Sequence, residues 1–137
     1  MGSDNRAVIE RIRTIYESGD TAELAAATNE FAAEDFVQEW PQSGEHLSRE
    51  GFRKVNERYA QATGTSPKFK LRRIVGEGAL YVIEGTIDYG DGIPVSYVGI
   101  VELRDGKITK LTDYFANPFE APPWRADFVE RMEPVAV

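Results

Sequence analysis

The chain contains no cysteine and a single histidine among its 137 residues. The lack of cysteine excludes a disulfide framework, a thiol nucleophile and cysteine-ligated zinc. One histidine, His46, is too few for the usual metal sites, so we expect neither a metal nor another cofactor. A phosphate-binding glycine loop is also missing, because Gly90-Asp91-Gly92 has the pattern of a hairpin turn.

The sequence also lacks an apolar run long enough to cross a bilayer, a visible signal peptide and an excess of basic residues. The cytoplasm is therefore the expected compartment, without a membrane partner. The net charge is −7, which argues against binding to nucleic acid. With 42% apolar and 28% charged residues, the composition is that of a folded globular protein, and the length predicts one domain over residues 1–137.

The hydrophobic pattern changes along the chain from a helical period to an alternating one. The first half predicts helices over residues 4–18, from Thr21 onward and over residues 49–62, the last with Ser48 as its N-cap. From Pro67 onward the pattern has a period of two, as in half-buried strands. Helices followed by antiparallel strands indicate an α+β fold with the helices packed on one side of a curved sheet. The predicted strands are Phe36–Trp40, Lys68–Val75, Ala79–Tyr89 and a hairpin over residues 94–115 that turns at Asp105-Gly106.

Asp113 is the unusual residue of this hairpin, because alternation places its carboxylate on one face with Leu111 and Phe115. A bare two-residue turn would set Asp113 opposite Val98, and a glycine bulge at Gly106 would set it opposite Tyr97. The bulged register separates apolar from polar residues better, so we prefer it. It predicts one face with Tyr97, Gly99, Val101, Leu103, Leu111 and Phe115, and an opposite face whose apolar stripe is Val98, Ile100, Ile108 and Tyr114.

A carboxylate among apolar neighbours is costly unless it is paired, protonated or used in chemistry. One interpretation of Asp113 is a hydrogen-bonded core residue or one that reaches solvent at a strand end. The other is an acid or base with a raised pKa at the floor of a pocket. The sequence alone leaves both open.

The order of motifs resembles a known layout. A Ser-Gly-Asp hinge between two helices is followed by EWPQSGE in the first strand and DGKITKLTDYF near the end. This arrangement, over about residues 5–128, resembles the nuclear-transport-factor-2-like superfamily and its SnoaL-like group. The resemblance implies a cystatin-like roll, in which a cone-like curved antiparallel sheet and three helices enclose a pocket. Known members include polyketide cyclases, ketosteroid isomerases, epoxide hydrolases and non-enzymatic binding domains, so the fold does not settle function.

The resemblance also suggests residue roles. Asp113 matches the acid/base aspartate of the final-strand motif in the cyclases and hydrolases, and Glu39 matches a polar position of the hydrolases. The Arg-x-Asp pair of the hydrolases is missing, because Glu84-Gly85-Thr86 occupies that region. The three positions required for ketosteroid isomerase chemistry hold Trp40, Ile12 and Gly99, which do not fit that reaction.

We therefore expect Asp113 and Glu39 to face one cavity, where two carboxylates would split their pKa values into an acid and a base. The alternative for Glu39 is an exposed strand residue. His46 lies in a polar loop before a helix, where it faces either solvent or the cavity mouth. The residues expected to line the pocket are Trp40, Tyr59, Tyr81, Tyr97, Gly99, Val101, Leu111, Phe115 and Trp124.

The leading functional hypothesis is cofactor-free acid/base catalysis (cyclisation, isomerisation or dehydration) on a small apolar or aromatic carbonyl compound. The alternatives are a non-catalytic ligand-binding or dimerisation module and an epoxide-hydrolase-like activity. A homodimer through the outer sheet face is what the resemblance implies. The tail, residues 117–137, is rich in proline and aromatic residues and either packs on its own domain edge, covers the pocket as a flap or contacts a second copy.

Overall fold

A computed structural model describes residues 2–18, 21–64 and 67–133. The helices come mainly first and the strands second, as the change of period predicts. The helices are α1 (Gly2–Ser18), α2 (Thr21–Phe31) and α3 (Arg49–Thr63). The strands are β1 (Ala32–Trp40), β2 (Glu45–Ser48), β3 (Lys68–Glu77), β4 (Leu80–Asp88), β5 (Pro94–Arg104) and β6 (Lys107–Ala116), followed by a short 3-10 helix at Pro123–Phe128.

Six strands form one curled sheet in the order β2-β1-β6-β5-β4-β3. Every neighbouring pair among these described strands is antiparallel except β1 and β6, which run parallel. The predicted α+β fold is confirmed. The strand β2 was not predicted, because its four residues carry no apolar alternation and are mostly exposed.

Helix α1 packs its apolar face on β3 and α2. Its buried residues recur with the helical period, and it begins at Gly2, two residues before the predicted start at residue 4. The predicted cap of α3 is confirmed, because the Gly51 backbone N–H donates to Ser48 Oγ at 3.1 Å. Gly19 and Asp20 of the hinge lie outside the described residues. The buried apolar residues of α1 are Val8, Ile9, Ile12, Ile15 and Tyr16.

The concave face of the sheet carries the core. On β4 the odd-numbered face is the inner one, since Tyr81, Ile83 and Ile87 are buried while Glu84 is half-buried. The inner face of β5 continues this layer with Val95, Tyr97, Val101 and Leu103. The alternation of the strand does not decide which of its two faces is the inner one, and the burial of Tyr81, Ile83 and Ile87 does.

The register of the β5–β6 hairpin differs from both predicted alternatives. Asp105 and Gly106 form a two-residue turn, with φ values of 51° and 78°. The pairing then shifts between Glu102 and Leu103, so that Asp113 lies opposite Gly99. This shift is two residues from the preferred register, so every residue predicted for the inner face stays on that face.

The shift also moves one residue to the other face. Ile108 pairs with Leu103 and is buried in the core, whereas the sequence placed it on the outer stripe. Thr109 is the extra residue of this bulge, because Lys110 pairs with Glu102 and Ile108 pairs with Leu103. Its Oγ1 donates to the Glu102 carbonyl at 3.1 Å. Val98, Ile100 and Tyr114 stay on the outer face.

Two amide side chains form hydrogen bonds to the backbone at the ends of the sheet. Asn5, which is buried, accepts from the Gly106 N–H at 2.8 Å and donates to the Gly78 carbonyl at 3.2 Å, so it joins α1 to two hairpin turns. Gln42 follows the proline that ends β1. Its side-chain amide donates to the Phe115 carbonyl and accepts from the Phe115 N–H, at 2.5 and 2.6 Å, and so extends the pairing of β6.

The tail does not pack on its own domain edge through its aromatic residues. Phe119 and Phe128 are each 82% exposed, and Trp124 is 76% exposed. The prolines of this segment prevent it from continuing β6 as a paired strand. The aromatic residues therefore do not pack on the edge of their own domain, and the expectation that Trp124 lines the pocket stays a prediction that depends on a flap. The two other hypotheses, a flap and a contact with a second copy, stay open.

Candidate functional site

The Asp113 carboxylate is buried on the concave face and accepts hydrogen bonds from three side chains. Its residue is 3% exposed. The Tyr97 hydroxyl donates to Oδ1 at 2.6 Å, and Gln38 Nε2 and the Trp40 Nε1–H donate to Oδ2 at 2.5 and 3.1 Å. The donors come from β1 and β5, which flank β6 on its two sides. The site is therefore assembled where three strands meet.

Tyr97 reaches the carboxylate because Gly99 has no side chain. These two residues lie on the same face of β5, two positions apart. A Cβ added at Gly99 would meet the Tyr97 hydroxyl oxygen at 2.2 Å. The Tyr97 ring thus lies along its own strand and over Gly99, directly across from Asp113.

Gly85, a second glycine without a side chain, leaves space for the Phe69 ring. A Cβ at Gly85 on β4 would meet the Phe69 ring at 2.5 Å. Phe69 packs edge-on against Tyr16 and Tyr97, with ring centroids 4.2 and 5.5 Å apart. Phe69 therefore lies in contact with the Tyr16 ring of α1 and the Tyr97 ring of β5.

Burial raises the pKa of the Asp113 carboxyl, and the hydrogen bonds from Tyr97, Gln38 and Trp40 oppose this rise without cancelling it. Burial, together with the nearby Asp113 charge, also raises the pKa of Tyr97 well above its ordinary value. The pKa of Tyr16 is raised by the same two causes. Both tyrosines therefore stay neutral at neutral pH, and Tyr97 keeps the proton that it donates to Asp113.

A count of lone pairs shows which carboxylate oxygen is open to a further partner. An ionised carboxylate has about four acceptor positions, two on each oxygen. Among the described residues, Gln38 and Trp40 occupy both positions of Oδ2, whereas Tyr97 occupies one position of Oδ1. A proton or a ligand donor therefore has its place on Oδ1.

Gln38 has a further property that bears on the protonation of Asp113. The residue is 5% exposed, and its Oε1 has no hydrogen-bond partner among the described residues. A buried acceptor without a donor is costly. As it stands, Gln38 favours the ionised form of Asp113 through its donor, and its acceptor contributes nothing to the site.

Glu39 and His46 do not join this site. Glu39 is paired with Thr112 across the β1–β6 ladder and lies on the outer face, where it forms an ion pair with Lys110 at 2.8 Å. Its neighbours on β1, Gln38 and Trp40, face inward, because side chains alternate along a strand. The expectation that Glu39 and Asp113 share one cavity is wrong. His46 is exposed on β2, opposite Glu39, rather than in a loop.

The remaining predicted pocket residues divide into three groups. Leu111 and Phe115 are half-buried beside Asp113, and the Phe115 ring lies 5.4 Å from the Tyr97 ring. Tyr81 and Val101 are core residues deeper along the sheet. Tyr59 is half-buried and lies near Tyr89, whose pKa is raised by burial first and then by Tyr59 and Asp113.

Three surface clefts of about 510, 500 and 320 Å³ occur elsewhere on the described part of the chain, and Asp113 lines none of these three. Within residues 2–18, 21–64 and 67–133 no group of three His, Asp or Glu side chains is placed to hold a metal ion. No helix in the described residues is long and apolar enough to cross a membrane. An apolar pocket with Asp113 at its floor stays a prediction.

Sequence reasoning found Asp113 but missed Gln38, which donates to it, and Tyr16, whose ring packs on the same Phe69 as the Tyr97 ring. The signal for Gln38 was present, since alternation placed it on one face with Trp40. The signal for Tyr16 was its position one helical turn after Ile12, on the buried face of α1. Neither residue could be connected to Asp113 before the strand order was known.

Comparison with known proteins identifies the family. Residues 9–111 match the model of the SnoaL-like domain. The protein belongs to this family, within the nuclear-transport-factor-2-like fold. The match ends two residues before Asp113, so it carries no statement about that residue. A search of curated proteins gives no match.

Solved structures agree with this assignment. A nuclear-transport-factor-2-like protein of unknown function from Burkholderia xenovorans is 32% identical, with a TM-score of 0.72 over 94% of this chain and 98% of its own. A protein assigned as a ketosteroid isomerase from Kribbella flavida is 23% identical, with a TM-score of 0.75 over 97% and 93%. A protein assigned as a polyketide cyclase from Streptomyces antibioticus is 17% identical, with a TM-score of 0.59 over 81% and 91%. The last two show a shared fold.

Proposed function

We propose that the protein binds a small apolar or aromatic carbonyl compound and that Asp113 transfers a proton in a cofactor-free cyclisation, isomerisation or dehydration. The observation that carries this proposal is a buried carboxylate with three side-chain donors and one open lone pair on Oδ1. Burial raises the pKa of this carboxyl group, and a raised pKa suits a group that takes up and returns a proton.

The proposed proton transfer follows from this geometry. Asp113 Oδ1 takes a proton from the carbon beside the carbonyl, so the C–H bond breaks and an O–H bond forms. The electron pair moves into the carbonyl group and gives an enolate. Asp113 then returns the proton to the product. The donors from β1 and β5 fix the carboxylate while its charge changes, because hydrogen bonds to the charged form favour it. A well-placed acid or base gains about 10²–10⁴-fold in rate.

The names of two relatives of the same fold support the class of ligand. They are assigned as a ketosteroid isomerase and a polyketide cyclase, whose names indicate ring systems that carry carbonyl groups. The half-buried side chains next to Asp113 are apolar or aromatic, as such a ligand requires. These residues are Trp40, Leu111 and Phe115.

The test combines binding and turnover with one panel of steroids and aromatic polyketides. Parent and Asp113→Asn are compared by ligand-dependent melting, with product formation followed in parallel. We expect similar melting shifts and a loss of turnover of about 10²-fold or more in the variant. Equal turnover in the two proteins would overturn the catalytic role.

Intrinsic fluorescence gives a direct binding signal at the site. The chain has two tryptophans, and Trp124 is exposed while Trp40 contacts Asp113. Trp124→Phe leaves Trp40 as the single reporter. We expect a ligand to change the Trp40 emission in a saturable way, and Trp40→Phe with Trp124 kept is the matched control.

A ligand-binding module without catalysis is the second candidate. It is favoured by the self-contained network, in which the Asp113 donors all belong to the protein, and by the position of Glu39 on the other face. Equal melting shifts in the parent and in Asp113→Asn, without turnover in either, would support the ligand-binding module. Epoxide hydrolysis is a weaker candidate, because the region of its Arg-x-Asp pair holds Gly85 packed against Phe69.

The proposal includes a cytoplasmic homodimer formed through the outer sheet face. Val98 and Ile100 are half-buried there, and Tyr114 is 41% exposed. An apolar stripe of this kind on a sheet is suited to a second copy. A solution mass that corresponds to a monomer at micromolar protein concentration would exclude the dimer.

A further inference from the structure

The segment that follows β6 carries a concentration of exposed apolar side chains. Residues 117–133, which we call the arm, hold five of the ten large apolar side chains that are exposed in the described part of the chain. These five are Phe119, Trp124, Phe128, Val129 and Met132, and the three aromatic rings among them are each at least 76% exposed. Apolar groups gathered in this way on a soluble protein mark an interaction surface.

The arm is a stiff segment. Pro118, Pro122 and Pro123 each restrict the backbone angle φ to about −65°, and residues Pro123–Phe128 form the 3-10 helix. A segment that is already ordered loses little conformational entropy when it docks on a partner. The arm is therefore suited to hold its aromatic rings against another surface.

The outer face of the sheet presents an apolar surface of matching character. Val75 of β3, Val82 of β4 and Ile100 of β5 form one row across three strands, because Val82 pairs with both of the others. Val98 and Tyr114, which pair across β5 and β6, extend this row on the same face. Val75 is 50% exposed and Tyr114 is 41% exposed. We call these five residues the outer apolar patch.

We infer that the arm of one protomer packs on the outer apolar patch of a second copy of the chain, which returns the same contact. This inference rests on the proposed homodimer and assigns a partner to the exposed rings. Tyr114 belongs to the patch and lies three residues before the arm begins at Asn117, so the arm leaves the sheet beside the surface that the dimer buries. A reciprocal contact of this kind is compatible with the two-fold symmetry of most homodimers.

The area of the arm favours a second copy as its partner. An aromatic side chain buries about 150–250 Å², so the three rings of one arm supply about 450–750 Å² and two arms about 900–1,500 Å². A stable interface between proteins buries about 1,200–2,000 Å² in total. Val98 and Ile100 of the patch are already half-buried and add little area of their own. The two arms thus provide most of the area that a stable dimer needs.

Solution mass measurements test the contribution of the arm to the dimer. Phe128→Ser removes one exposed ring from the full-length chain, and the fold should not change, because this ring contacts little of its own domain. We expect the dimer dissociation constant, measured by sedimentation equilibrium, to rise by about 30-fold or more, the effect of losing an aromatic hot-spot residue. Val55→Ser, at a 38% exposed position on α3, is the matched control and leaves the constant unchanged. An unchanged constant in Phe128→Ser overturns the inference.

Cross-linking tests which surface of the partner the arm contacts. The chain contains no cysteine, so one introduced cysteine is unique in each protein. Asp127→Cys labels the arm, and Ser96→Cys labels the outer face two residues before Val98; both positions are exposed. We expect a short bis-maleimide to join these two proteins when they are mixed, and Gln61→Cys on α3 in place of Ser96→Cys to give no product. Links between two Asp127→Cys chains, without links to Ser96→Cys, would mean that the arms pair with each other and would overturn the inference.

The arm contact and the other proposals fail in different ways. If the parent is a monomer at micromolar concentration, both the dimer and the arm contact are wrong, and the turnover of Asp113→Asn still decides the catalytic role. If Phe128→Ser dimerises as the parent does, the arm contact is wrong and the dimer through the sheet stands. In Trp40→Phe, a change of Trp124 emission with ligand at constant protein concentration would show that the arm is a flap over the ligand, and this result also overturns the inference.

Discussion

Gly99 lies directly opposite Asp113 across the β5–β6 ladder, and the Tyr97 ring occupies the space that a side chain at Gly99 would fill. The absence of one side chain therefore decides how the carboxylate is solvated. With any other residue at this position, the Tyr97 hydroxyl would have to leave Oδ1. The site thus depends on a residue that contributes no functional group of its own.

Gly99→Ala tests this relationship. The φ angle of Gly99 is outside the left-handed region, so the added methyl group strains only the packing against Tyr97. We expect a loss of about 1–3 kcal/mol in the free energy of unfolding, measured by urea denaturation. In the Tyr97→Phe background the same change should cost less, because the atom at 2.2 Å is the hydroxyl oxygen.

The matched control for this substitution is Gly51→Ala in α3. There the nearest atoms lie at 3.5 Å or beyond, and alanine has the higher helix propensity, so the expected effect is a gain of up to about 1 kcal/mol. Equal costs at Gly99 in the parent and in the Tyr97→Phe background would contradict the collision with the hydroxyl.

Gln38→Leu removes both the amide donor to Asp113 Oδ2 and the unpartnered oxygen Oε1. The change removes a donor to Oδ2, so the pKa of Asp113 should rise further above its ordinary value. The loss of stability should be small for a buried hydrogen bond, because the unpartnered Oε1 is removed as well. Carbon-13 NMR of labelled aspartate carboxyl groups measures the pKa, and Gln61→Leu on the exposed face of α3 is the control. An unchanged Asp113 pKa would show that Gln38 is not a donor in solution.

How much of this site follows from the sequence differs from residue to residue. Alternation along β6 identified Asp113 as a carboxylate on an apolar face, and alternation along β1 put Gln38 and Trp40 together. Their contact with Asp113 depends on β1 lying next to β6, a parallel pairing between strands that are far apart in sequence. Local patterns carry no information on that pairing. Glu39 was assigned to the site by resemblance, although the alternation of β1 already separated it from Gln38.

The hairpin shows a second limit of the sequence. The turn at Asp105-Gly106 was predicted, and the register was wrong by two residues because the pairing shifts beyond the turn. A bulge changes the register without changing the turn sequence, so patterning selected the correct inner-face residues of β5 but misplaced Ile108. The structure shows why the difference matters, since only the observed register puts Gly99 opposite Asp113.

The free energy of unfolding should depend on pH through the titration of Asp113. Its folded-state pKa lies above the unfolded-state value of about 3.9. Between these two values the folded protein binds more protons, so the contribution of Asp113 to the free energy of unfolding falls as pH rises and stays low above the folded-state pKa. Asp113→Asn lacks this pH-dependent contribution, because asparagine does not titrate. The melting temperature of the variant minus that of the parent should therefore increase as pH rises through this window.

Asp35→Asn is the opposite case and serves as its control. Arg104 lowers the pKa of Asp35 through a hydrogen bond, so the contribution of Asp35 is lost as pH falls through its folded-state pKa. The melting difference for this exposed residue should change in the reverse direction with pH. Parallel curves for the two variants would contradict the raised pKa of Asp113.

Asn5 provides a prediction for the fold itself. Its buried amide joins α1 to the β3–β4 and β5–β6 turns through Gly78 and Gly106. Asn5→Ala leaves a backbone donor and a backbone acceptor without their partner, and we expect it to lower the free energy of unfolding by about 1–3 kcal/mol. Asn56→Ala is the control, because its amide bonds only to the Phe52 carbonyl within α3 and the residue is exposed, so its effect should stay within about 0.5 kcal/mol. Urea denaturation measures both, and similar values for the two variants would show that the link between α1 and the turns adds little to stability.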